Sequence, residues 1–104
     1  MNPEIAKYWD KALSAFNAAK TALKNGKSDY EVKKELYMAI FYGQFAIRKL
    51  NCVDIAITAD IFLDYLSKIE HLGTKQAIDI TRKALKAYRN LLPEEDSLPV
   101  PPDC

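Results

Sequence analysis

The chain has 104 residues, 49% hydrophobic and 28% charged, which excludes a disordered or low-complexity polymer and fits one domain with its own core. Its formal net charge of +1 conceals a division: residues 1–92 hold all fifteen Lys and Arg with ten acids, a net +5, and residues 93–104 hold four acids and no cation. That excess is too small for a strong nucleic-acid footprint, and no apolar run has the length that spans a bilayer. The opening Met1-Asn2-Pro3-Glu4 lacks the charged-then-apolar layout of a signal peptide, so a cytoplasmic protein without membrane contact is expected. Cys52 and Cys104 form no paired framework and read as free thiols.

Helix punctuation divides residues 1–92 into four segments. Asn2-Pro3 offers an N-cap followed by Pro at the first helical position, where a missing N–H costs nothing. The first helix is predicted to run to about Asn25, with Gly26 ending it in the left-handed conformation. Ser28-Asp29-Tyr30-Glu31 reads as a capping box opening a second helix that reaches about Leu50. Asn51 is placed as the cap of the third helix, which ends at His71-Leu72-Gly73. Thr74 is placed as the cap of the fourth, which stops before Pro93. Residues 93–104 hold four prolines and read as an extended, flexible acidic tail able to fold back over the fourth helix.

Each helix carries apolar residues in alternating steps of three and four. The seams are Ile5, Trp9, Ala12, Phe16, Ala19 and Leu23; then Val32, Leu36, Ala39, Gly43, Ala46 and Leu50; then Ile55, Ala59, Phe62, Leu66 and Ile69; then Ala77, Thr81, Ala84, Tyr88 and Leu91. Seams of this kind pack at shallow crossing angles, and short connections make consecutive helices antiparallel neighbours. The expected fold is all-α: an antiparallel up-and-down four-helix bundle with short loops.

Three helix faces are candidates for function. The second helix has an apolar stripe opposite its seam: Tyr30, Tyr37, Phe41 and Phe45 fall within about 80° on a helical projection, with Arg48 in line and Met38 and Tyr42 beside them. Tyr, Phe and Arg are the types enriched at protein interfaces, so this stripe is read as partner-binding, against the alternative of core buried within the chain. The fourth helix lines up Lys75, Arg82, Lys86 and Arg89, with Lys83 beside them and Asp79 interrupting; it is a solvated face or a site for an anion or nucleic acid. The third presents Asp60, Asp64, Ser67 and His71. His71 stands about 10 Å along the axis from Asp64, too far for one metal ion to bind both, and Asp64 suits an ion pair with Lys68. Cys52 has no His near it in sequence, and no Gly-rich phosphate loop or Ser-centred elbow is present. No catalytic, cofactor-binding or metal-binding residue is assigned.

The stretch Ala12–Gly26 (Ala-Leu-Ser-Ala-Phe-Asn-Ala-Ala-Lys-Thr-Ala-Leu-Lys-Asn-Gly), followed by Glu35–Gly43 (Glu-Leu-Tyr-Met-Ala-Ile-Phe-Tyr-Gly), resembles the first two helices of HEPN-type domains. The resemblance covers about the first half of the chain. It implies a four- or five-helix bundle that often dimerises, with roles in toxin–antitoxin systems, RNA cleavage and host defence. Active members carry Arg, four to six residues, then His. Here Asp64, Tyr65 and Leu66 occupy the positions that Arg would take before His71, so no ribonuclease residue carries over. What the resemblance leaves is a non-catalytic partner or scaffold.

The functional expectation is a non-enzymatic interaction or regulatory module that homodimerises, or binds another protein, through the aromatic face of the second helix. The alternative is a nucleic-acid-associated regulator, or a HEPN-like toxin–antitoxin or defence component, using the basic face of the fourth.

Overall fold

The computed structural model describes residues 3–48 and 55–92, and they form four helices: α1 Pro3–Lys24, α2 Asp29–Arg48, α3 Ile55–His71 and α4 Thr74–Leu91. Among the described residues there is no strand, and no helix is long and apolar enough to cross a membrane. The fold is an all-α four-helix bundle. Asn2, Leu50, Asn51, Cys52, the side chain of Ile55 and the tail 93–104 lie outside the described residues.

The helix ends follow local chemistry. Gly26 takes φ 71°, and the N–H groups of Gly26 and Lys27 donate to the carbonyls of Leu23 and Ala22 at 3.1 and 3.0 Å. That pair of bonds is the Schellman closure, which satisfies carbonyls that the last turn leaves open. The Ser28 hydroxyl accepts from the Glu31 N–H at 3.3 Å, the first half of the expected capping box. The fourth helix departs from expectation by one residue. Gly73, extended at φ −66° and ψ 163°, is its N-cap, and Thr74 is its first helical residue. No side chain caps it; the Gly73 carbonyl accepts the first intrahelical bond, from Ala77 N–H at 2.8 Å.

α2 packs against each of the other three helices, whereas among the described residues α1 and α3 do not meet. The core therefore centres on α1, α2 and α4: Trp9, Phe16, Leu36, Ile40, Ile47, Leu85 and Tyr88 are all at most 2% exposed. Burying each such large side chain stabilises the fold by about 1.5–3 kcal/mol. Thr81 sits in this core with its hydroxyl donating to the Ala77 carbonyl at 2.7 Å, so its polarity is satisfied one turn back. The seams of α1, α2 and α4 are buried as expected up to their last positions: Leu23 is half-buried and Leu91 is exposed, while Leu92 is buried instead. Helical spacing explains the exchange: Leu92 lies one turn beyond Tyr88, on the same side as Thr81 and Leu85, whereas Leu91 falls at the margin of that buried face.

Gly43 sets the spacing of α2 and α4. A Cβ there would stand 3.0 Å from the Tyr88 ring and 3.1 Å from a Leu85 methyl, tighter than ordinary contact. α3 is the loosely covered helix: from residue 59 onward only Ile69 is buried, and Phe62, Tyr65 and Leu66 are half-buried.

Candidate functional site

The aromatic stripe of α2 does not behave as one surface. Tyr30, in the first turn, is 74% exposed and makes no ring contact among the described residues. Tyr37 and Phe45 are half-buried, Phe41 is 41% exposed and Arg48 is exposed. Phe45 stacks on Tyr8 of α1 at 5.4 Å between centroids and meets Phe41 edge-on at 4.6 Å. Phe41 also faces Phe62 of α3 at 6.4 Å, and Tyr8 lies 6.3 Å from Tyr42. A ring cluster from three helices therefore covers the later part of the stripe, within the offset and edge-on distances aromatic rings favour.

Between α2 and α3 the cluster opens into a groove of about 680 Å3. Tyr37, Met38 and Phe41 form its α2 side, and Phe62, Leu63 and Leu66 its α3 side. Leu63, 61% exposed, and Met38 stand on opposite lips. Glu70 and Ser67 close one end, where the Lys33 ammonium donates to the Glu70 carbonyl at 3.0 Å and ties the helices together. Burial, and then the Glu70 carboxylate, push the Tyr37 hydroxyl above its ordinary pKa. Concave, mostly apolar space with a few polar groups is the usual form of a binding site.

The basic row of α4 is divided too. Lys75 is exposed, but Arg82, Lys86 and Arg89 are half-buried. Arg82 Nη1 bonds Asp79 at 2.9 Å, with its guanidinium 5.7 Å from the Phe16 ring centre, and Lys83 reaches the other Asp79 oxygen at 3.3 Å. Asp79, which reads in sequence as an interruption, is thus the centre of a small ion network. Lys75 and Arg82 instead join α1 residues in a second groove of about 570 Å3.

On α3, Asp60, Asp64, Ser67 and His71 are all exposed. Lys68 pairs with Asp64 at 3.0 Å, the i,i+4 contact expected from the spacing. Among the described residues no three His, Cys, Asp or Glu side chains converge as metal ligands would.

Sequence reasoning missed Tyr8, Leu63, and the second row of core residues that includes Leu13, Ile40, Ile47 and Leu85. A trace of Leu63 was available, since Ile61 and Leu63 lie off the α3 seam and leave that helix apolar on more than one side. Tyr8 carries no comparable signal, because its role depends on where α1 crosses α2.

These features define a class: a four-helix bundle with an aromatic-walled groove on one seam and a cation-rimmed groove on another. Comparison with family models, with curated proteins and with solved structures finds no match.

Proposed function

We propose that this chain is a non-enzymatic protein-interaction module that homodimerises through the groove between α2 and α3. The observation that carries the reading is that Met38, Phe41 and Leu63, three of the exposed large hydrophobic side chains, gather on this one groove. Contiguous apolar surface of this kind marks interaction sites, and scattered single residues do not.

The flanking charges favour a second copy as the occupant. Lys34, one turn before Met38, and Arg48 are exposed on α2; Asp60, one turn before Leu63, is exposed on α3, and Glu70 lines the groove. A twofold axis along the groove sets the cationic lip of one copy against the acidic lip of the other, the self-complementarity an isologous dimer needs. The non-enzymatic part rests on the chemistry available: the side chain of His71, the only histidine, is exposed and makes no hydrogen bond or ion pair among the described residues.

The test places like charges across the interface without touching the core. Met38→Glu with Leu63→Glu is expected to leave the circular-dichroism spectrum unchanged and convert a dimer to a monomer in sedimentation equilibrium. A dimer that survives both changes sinks this reading.

A further inference from the structure

The second groove lies between the end of α1 and the start of α4, and the homodimer reading does not use it. Its rim holds Lys20 and Lys24 from α1 and Lys75 and Arg82 from α4. One carboxylate, Asp79, faces these four cations, and it is already engaged by Arg82 and Lys83. Lys24 and Lys75 are exposed and have no carboxylate partner among the described residues. The Lys20 ammonium lies 5.9 Å from the Phe16 ring centre, held by a neutral face that leaves its charge undiminished. The groove also has an apolar lining: Ile78 is 5% exposed and Leu23 is half-buried beside it.

We propose that this groove docks an acidic amphipathic segment of a partner protein, with apolar side chains over Leu23 and Ile78 and carboxylates toward Lys20, Lys24 and Lys75. The charge pattern is complementary to such a segment. A trough of about 570 Å3 between two helices offers the seat that helix-in-groove recognition uses. Nucleic acid fits less well on three counts. Asp79 stands in the path of a phosphate chain. Among the described residues the aromatic ring beside these cations is Phe16, which is fully buried and cannot stack on a base. The aliphatic lining has nothing to bind in a sugar–phosphate backbone.

The experiment is fluorescence anisotropy on the full chain with three labelled probes: a helical peptide with Leu on one face and Glu on the others, the same peptide with Gln for Glu, and oligo-uridine. The Glu peptide is expected to bind, with affinity falling as salt rises. Lys24→Glu with Lys75→Glu should weaken it about tenfold or more, because rim charges govern attraction and partner choice. Both residues are exposed, so an unchanged circular-dichroism spectrum is expected for the variant. Leu23→Ser should weaken the Glu peptide as well, while Met38→Glu with Leu63→Glu should not. Three results overturn the proposal: no binding of the Glu peptide, equal binding to the Lys24/Lys75 variant, or oligo-uridine binding more tightly than the peptide through the same lysines. Loss of peptide binding in the Met38/Leu63 variant also overturns it, since the peptide would then occupy the α2/α3 groove.

Discussion

α2 has two flanks, and they are built in opposite ways. Toward α4 it presents Gly43, and the Tyr88 ring and Leu85 methyl come so close that even a Cβ would crowd them. Toward α3 it presents Tyr37 and Phe41, and Phe41 and Phe62 stand 6.4 Å apart with open space beyond. Small residues close a helix seam, whereas large flat ones facing each other prop it apart. The difference between core and groove in this bundle is therefore a matter of side-chain volume on one helix. Hydrophobicity does not separate the two flanks, because both are apolar.

The largest effect should come from erasing that difference on the closed flank. Gly43→Leu forces a side chain into the Tyr88 and Leu85 contact and is expected to cost about 1–3 kcal/mol, read as a lower urea midpoint. An unchanged midpoint would mean that the closed flank yields as readily as the open one.

Next come substitutions along the α2 stripe, which should grade with enclosure. Phe45→Ser removes a ring held between Tyr8 and Phe41 and should cost about 2 kcal/mol; Phe41→Ser, beside the open groove, should cost about 1 kcal/mol. Tyr30→Ser, at a position exposed to solvent, should stay within about 0.5 kcal/mol. Equal costs at the three positions would restore the uniform stripe that helical spacing alone suggests.

A smaller effect reports on the closed flank by another route. The Tyr88 hydroxyl is buried with no hydrogen-bond partner among the described residues, and burial, then the neighbouring Tyr65, raise its pKa well above the ordinary tyrosine value. A phenol with a raised native pKa is neutral in both states below the unfolded value, so nothing is lost there. Above about pH 10 the unfolded chain releases the proton first, and stability falls as pH rises. Tyr88→Phe should remove that alkaline loss and, at neutral pH, leave stability equal or up to about 1 kcal/mol higher, since it deletes an unsatisfied buried group. Denaturant titrations at neutral and alkaline pH check both parts. The smallest effect on stability is expected from Lys24→Glu with Lys75→Glu, within about 0.5 kcal/mol, which makes that variant a clean probe of binding.

The contrast between flanks also marks how far the sequence could be read. Elements and ends were legible where one residue's chemistry decides them: Pro3 opening α1, Gly26 at positive φ, Ser28 accepting from Glu31. Thr74 misled by one position because the backbone, extended at Gly73, decides where α4 begins. Leu91 and Leu92 exchange roles because Leu92, one turn beyond Tyr88, lies nearer the middle of the buried face of α4 than Leu91 does. The seams were visible as single rows, but α2 touches three helices and needs a wider buried face, so Ile40 and Ile47 were overlooked. Both grooves depend on which helices become neighbours. Half of each was in view, as the α2 aromatics and the α4 cations; the other halves, Leu63 on α3 and Lys20 and Lys24 on α1, are supplied by packing that spacing within one helix cannot express.

The most direct measurement on the central claim is native mass spectrometry of the untagged protein purified gently from its own cells. Pairing through the α2/α3 groove predicts a homodimer that becomes monomer in the Met38→Glu, Leu63→Glu variant. A monomer from the unaltered chain, or a dimer indifferent to those two changes, would contradict it.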